Sequence, residues 1–152
     1  MPTCPDFATA FQKNMAALGL PAPTRLFGTV QTATANVTAL LDAFQSVGTG
    51  TTLAAIIGAT TGLEGLSVVG GLSAAFYVGA VVGSLVVATN ASMVGVKSTS
   101  AMWSIHEWAR RTGVSIPATM YAFLRHHPEV VVDRPGRIVY ALHASRSAKV
   151  AA

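Results

Sequence analysis

Residues 51–96 read TTLAAIIGATTGLEGLSVVGGLSAAFYVGAVVGSLVVATNASMVGV, and Glu64 is their only charged side chain. An apolar helix of about 20 residues crosses the hydrocarbon core of a bilayer, and this run is roughly twice that length. Two membrane-length arms therefore fit. The break is expected at Gly70 and Gly71, because adjacent glycines weaken a helix and tolerate positive φ. The expected element is a helical hairpin with arms Leu53 to Val69 and Leu72 to about Val96, turning at Gly70 and Gly71. Glu64 would then lie near the turn, an intramembrane acid displaced from the bilayer centre towards the far headgroups, where its cost is tolerable.

Small residues recur in both arms at intervals of four: Gly50, Ala54, Gly58 and Gly62 in the first, Gly71, Ala75, Gly79 and Gly83 in the second. Residues four apart share a helix face, so each series forms a smooth stripe on which another backbone can lie closely. Lipid tails are as apolar as leucine, so close packing of such stripes is a main force joining helices inside a membrane. The same pattern also suits a Gly/Ala-rich helical hairpin buried in a soluble core.

Composition favours a membrane. A soluble domain has about a quarter of its residues charged, whereas 11% are charged here and 51% are hydrophobic, with a mean hydropathy of +0.52. Charge is also segregated, since residues 97–152 hold eight of the ten Lys and Arg and all four histidines. Three regions are expected: amphipathic N-terminal helices in 1–50, the hydrophobic hairpin in 51–96, and a basic module in 97–152. The fold class is mainly α, with a β-hairpin confined to the last module. The single Cys4 has no intramolecular partner. It fits synthesis in a reducing compartment. The N-terminal residues lack the basic, apolar and small-residue order of a secretory signal, so synthesis in the cytoplasm without a cleaved signal is expected.

In the first region, Asp6 can cap a short helix on which Phe7, Phe11, Met15 and Leu18 share a face, ending at Gly19. Thr24 to Val47 reads as one longer helix, with Leu26, Val30, Ala33, Val37, Leu40 and Phe44 as a packing seam. Its other face, Thr29, Gln31, Thr32, Thr34, Asn36 and Thr38, is polar but uncharged. Such a face could line water, cover the glycine stripes or contact a partner.

After Val96, Ser100 can cap a helix from about Ala101 to Thr112 that carries Trp103, His106 and Trp108. The two tryptophans fit either a headgroup-level belt or a core. Gly113 turns the chain into a helix from Ile116 to about His127, ended by Pro128. Glu129 to Asp133 and Arg137 to Leu142 then flank Arg134-Pro135-Gly136 as a β-hairpin, and the residues from His143 read as a frayed basic tail.

The segment WARRTGVSIPATMYAFLRHHPEVVVDRPGRIVYALHA, residues 108–144, resembles the helix-turn-helix and wing of bacterial transcription regulators. Ala109 and Gly113 match that motif, while one extra residue follows Gly113. The resemblance implies Arg125 on the reading helix and Arg134 and Arg137 in the wing, close to phosphate. Arg110, Arg111, Arg125, Arg134 and Arg137 are the basic candidates for either a nucleic-acid or a membrane surface. No enzyme is expected. His106-Glu107 is followed by Arg110 rather than a second histidine, adjacent His126 and His127 diverge on a helix, and no phosphate loop or nucleophile elbow occurs. No cofactor and no metal site are expected.

The glycine-striped hairpin joined to amphipathic helices resembles the hydrophobic hairpin of pore-forming colicins, and more closely the small glycine-zipper pore-forming effectors delivered by type VI secretion systems. Gly58, Gly62, Gly71, Gly79 and Gly83 carry this resemblance. It implies a soluble or chaperoned form, self-association in a lipid bilayer, and insertion into the inner membrane of a target cell with loss of its ion gradients. An immunity protein or secretion chaperone would be the partner. Two other readings are consistent with the residues: a resident two-span membrane protein, holin-like or regulatory, and a winged-helix DNA-binding regulator with a buried hairpin.

Overall fold

The computed structural model describes residues 7–22, 24–47, 52–59, 71–89, 98–131 and 135–151. Its helices are α1 (Phe7–Ala17), α2 (Thr24–Phe27), α3 (Val30–Val47), α4 (Leu53–Ala59), α5 (Ala74–Thr89), α6 (Ser98–Thr112), α7 (Ala118–His126) and α8 (Tyr140–Ala151). Two 3-10 turns, Pro128–Val130 and Pro135–Val139, link α7 to α8. The expected mainly α class holds.

Everything is assembled around α5. Every residue from Ala74 to Val86 is buried, and α5 packs against α1, α3, α4, α6, α7, α8 and the first 3-10 turn. A helix apolar all round has no face to offer water, so its neighbours must supply the surface. They do so by being amphipathic. From α1 come Phe11 and Met15; from α3, Ala33, Val37, Leu40, Leu41 and Phe44; from α6, Ile105 and Trp108; from α7, Met120 and Leu124; and from α8, Tyr140 and Ala144.

Local signals place the helix ends. At the end of α1, Gly19 has φ of 78°, and the Gly19 and Leu20 amides bond the carbonyls of Ala16 and Met15. This pair of reversed bonds is the Schellman closure, and only glycine enters that left-handed region without strain. Gly113, at φ 77°, ends α6 by the simpler closure, its amide on the Ala109 carbonyl.

The structure corrects several expectations. The helix expected from Thr24 to Val47 is broken at Gly28 and Thr29, where the Thr29 hydroxyl accepts the Thr32 amide at 3.1 Å and starts α3 afresh. The Asn36 amide closes the break by donating to the Leu26 carbonyl at 2.8 Å. Of the expected seam, Ala33, Val37, Leu40 and Phe44 are buried, whereas Val30 at the helix start is exposed. Of the expected polar face, Thr29, Gln31, Thr32 and Thr38 are exposed to solvent, while Thr34 and Asn36 are half-buried.

The β-hairpin is absent from the described residues. Glu129 and Val130 lie in a 3-10 turn opened by Pro128, and Arg137, Ile138 and Val139 lie in the second 3-10 turn. The β-rich composition is overridden by packing, because Val130 and Val131 are drawn into the core from the first 3-10 turn and its end, and Tyr140 from the start of α8. The Glu129 carbonyl accepts the Arg137 side chain at 2.9 Å instead of a strand partner. The expected frayed tail is helical in α8. Arg134 lies outside the described residues, and the wing-like hairpin of the regulator resemblance is not formed.

The hydrophobic hairpin also differs from two straight arms. Thr52 and Ser73 pair as an isolated antiparallel bridge, and the Leu53 amide donates to the Leu72 carbonyl at 2.8 Å. The starts of the two arms therefore lie side by side, whereas a straight arm running to Val69 would set them about 24 Å apart. Of the first arm, α4 is described to Ala59; Gly62, Glu64 and Gly70 lie outside the described residues, as does Gly50. The second arm, α5, has 16 residues and a length of about 24 Å. No described helix is long and apolar enough to cross a membrane.

Candidate functional site

The candidate site is α5 with the residues that enclose it. Its stripe of small residues is occupied within the chain. A Cβ added at Gly79 would stand 2.5 Å from Cε1 of Phe123 and 3.4 Å from the Tyr140 hydroxyl; at Gly83 it would stand 2.5 Å from both the Cβ and the carbonyl oxygen of Val130. Ala75 is buried on the same side. The glycines thus let the elements between α7 and α8 press directly onto the α5 backbone. Gly71, by contrast, is exposed in the turn before α5, and nothing would meet an added Cβ there. On α4, Ala54 is exposed while Leu53 and Ile56 are buried; Gly58 is placed on that helix. Among the described stripe residues, those brought into close contact are on α5.

Around Phe76 of α5 an aromatic cluster forms. Its ring meets Phe123 edge-on at 4.9 Å, Tyr140 at 5.1 Å and His127 at 4.8 Å, and His127 stacks on Phe123 at 4.5 Å. Such tilted pairs add about 1 kcal/mol each beyond burial. The Tyr140 hydroxyl donates to the Phe76 carbonyl, and the Tyr77 hydroxyl donates to the Pro21 carbonyl at 2.9 Å. α5 is thereby tied to both the N-terminal and the C-terminal parts of its enclosure.

A buried polar network crosses the same region. Asn14 on α1 is buried, and its Nδ2 donates to the Ser84 hydroxyl at 3.0 Å and to the Val130 carbonyl at 2.8 Å. Its Oδ1 accepts a guanidinium N–H of Arg137 at 2.6 Å. Arg137 also donates to the Glu129 carbonyl, and the buried Glu129 carboxylate contacts Nδ1 of His127 at 2.9 Å. One amide thus joins α1, α5 and both 3-10 turns. The sequence held a signal for it: Asn14 stands with Phe11, Met15 and Leu18 at core spacing, and Ser84 interrupts an apolar run.

The basic candidates separate. Arg110, Arg111 and Arg125 are exposed, with Arg110 paired to Glu107 on the helix surface. That contact holds the Glu107 carboxyl below its usual range, chiefly through the hydrogen bond from Arg110. Arg137 is committed internally. The tryptophans divide too, Trp108 entering the core and Trp103 lying 69% exposed. Among the described residues no group of three His, Cys, Asp or Glu is arranged to hold a metal ion.

Burial pushes the Tyr77 phenol far above its ordinary value, and burial followed by the Glu129 carboxylate does the same to Tyr140. Both stay neutral in the folded chain but ionise near pH 10 once unfolded. Above that pH the unfolded chain binds fewer protons, so the tyrosines' contribution to stability, constant below about pH 9, falls as pH rises by about 1.4 kcal/mol per unit for each tyrosine. Urea unfolding across the alkaline range should show this slope, and Tyr77→Phe should roughly halve it. An unchanged slope would contradict the assignment.

Compared with known protein families, with curated proteins and with solved structures, the chain finds no match. Its own geometry therefore carries the functional reading: an all-round apolar helix, striped with glycine, held inside a shell of amphipathic helices.

Proposed function

We propose that the protein is a pore-forming antibacterial effector whose α5 leaves its enclosure and inserts into a target inner membrane, dissipating ion gradients. The observation that carries this reading is the complete burial of Ala74 to Val86 under helices that are themselves amphipathic. Shell helices of this kind can exchange a core for a bilayer, because their apolar faces suit either. Extension of α5 by about one turn would bring it to spanning length. The stripe Ala75, Gly79 and Gly83, vacated by Phe123 and Val130, would then be open to another helix or another copy.

In this reading the chain is made in the cytoplasm and acts at the inner membrane of the cell that receives it. The producer is protected by an immunity protein or a secretion chaperone that keeps α5 enclosed. The DNA-binding reading is less favoured, because Arg137 is spent on Asn14 and the Glu129 carbonyl rather than held out for phosphate.

Directing the chain to the periplasm of a susceptible bacterium, with a potential-sensitive dye as readout, tests the proposal. Depolarisation on periplasmic but not cytoplasmic production is expected. Stable residence in the producer's membrane with the potential intact would favour the resident two-span protein instead.

A further inference from the structure

We infer that the exposed apolar ridge formed by Ile138, Val139 and Leu142 is the surface by which the folded chain first docks on an anionic lipid membrane. The inference deepens the membrane-inserting reading and rests on it. Ile138 is 86% exposed, Leu142 48% and Val139 37%. These three residues fall within five consecutive positions, while the other large exposed apolar side chains among the described residues, Val30 and Trp103, stand singly on other helices. Scattered single residues are ordinary on a protein surface, but a local cluster is not.

The ridge is held firmly from behind. Tyr140 and Ala144 are buried, the Ser73 amide donates to the Ala144 carbonyl at 3.1 Å, and Arg137 is anchored on Asn14. Ile138 and Leu142 are therefore presented outward by a backbone fixed to the core.

Charge identifies the occupant. No Asp or Glu follows Asp133 in the sequence, whereas Arg146 and Lys149 lie four and seven residues beyond Leu142 on α8. Of the two acids before Asp133 in this module, Glu107 is paired with Arg110 and Glu129 is buried. Apolar side chains followed by cations, with no acid after Asp133, match the interfacial zone of an anionic bilayer, where acyl chains lie beneath negative headgroups. Docking here places α8 at the surface with its hydrogen bond to the first residues before α5.

The test is cosedimentation of the full chain with phosphatidylcholine vesicles with and without phosphatidylglycerol, with dye release read on the same samples. Binding to the anionic vesicles alone, declining with salt, is expected. Ile138→Ser with Leu142→Ser should weaken it about tenfold or more. The variant should keep its circular dichroism, since neither side chain is in the core, and Val30→Ser should bind as the parent does. Equal binding by the double variant and the parent, or no binding to either vesicle, would overturn the docking surface. An acidic protein as the only ligand of the ridge would overturn it as well. Binding without dye release would leave the docking intact and remove the pore, whereas dye release undiminished in the double variant would leave the pore and remove the docking.

Discussion

Gly83→Ala is expected to lower the stability of the folded chain by about 2 kcal/mol or more, while Gly79→Ala should stay within about 1 kcal/mol of the parent. Both glycines belong to one stripe, and both added Cβ atoms would stand 2.5 Å from a neighbour. The neighbours differ. At Gly79 the obstacle is the edge of the half-buried Phe123 ring, side-chain atoms that can shift at some cost to the contacts with Phe76 and His127, and the gain in helix propensity offsets part of that cost. At Gly83 the obstacles are the Cβ and carbonyl oxygen of Val130, fixed by the 3-10 turn and by the bond from Asn14. Relief there requires the turn to move away from α5. Urea unfolding of the two variants checks the contrast, and equal destabilisation would show that α5 is not gripped where the structure places the grip.

The stripe thus has a folded-state role besides any role in a membrane. Leucine at Gly79 and Gly83 would expel Phe123 and Val130 from α5, so loss of conductance in that variant would report on folding as well as on helix association. Ala75 offers a cleaner probe. On the α5 stripe it is the position that already carries a side chain, and that side chain is buried.

Asn14→Ala is expected to cost about 3 kcal/mol, the second large effect. The substitution removes two donated bonds and one accepted bond, leaves the Ser84 hydroxyl and the Val130 carbonyl without them in a buried setting, and takes a neutral acceptor from the Arg137 guanidinium. Orphaned buried groups carry the full penalty of lost hydration, more so beside a charge. Asn14→Asp should cost less on the Arg137 side and more on the side of Ser84 and Val130, since it accepts but cannot donate. Thermal unfolding of the two variants, with Gln31→Ala as an exposed control, separates these terms. A loss under 1 kcal/mol for Asn14→Ala would mean that the network contributes little.

The sequence made α5 and its neighbours legible because burial follows periodicity: Phe11 and Met15 on α1 with Leu18 just after it, and Val37, Leu40 and Phe44 on α3, all fall where helical spacing puts them. The ends marked by Gly19 and Gly113 were equally readable. Residues 129–142 were not. Val130, Val131, Val139 and Tyr140 have strand-favouring side chains, and local propensity gave no hint that Arg137 would reach Asn14, 123 residues away. That contact is a tertiary decision. The straight hairpin misled for a similar reason: hydropathy measures how much apolar sequence there is, but the Leu53 to Leu72 bond, which sets the two arm starts together, is invisible to it. For the candidate site, the spacing of Gly79 and Gly83 marked a close-packing face, while the identity of what packs there, Phe123 and Val130, came only from the fold.

The most direct test of the central claim is single-channel recording from planar bilayers containing anionic lipid, with the protein purified without detergent. Discrete conductance steps, appearing more readily for Asn14→Ala because its shell opens more easily, are the predicted result. A silent bilayer, with the protein bound to the lipid and its enclosing network already weakened by that substitution, would contradict it.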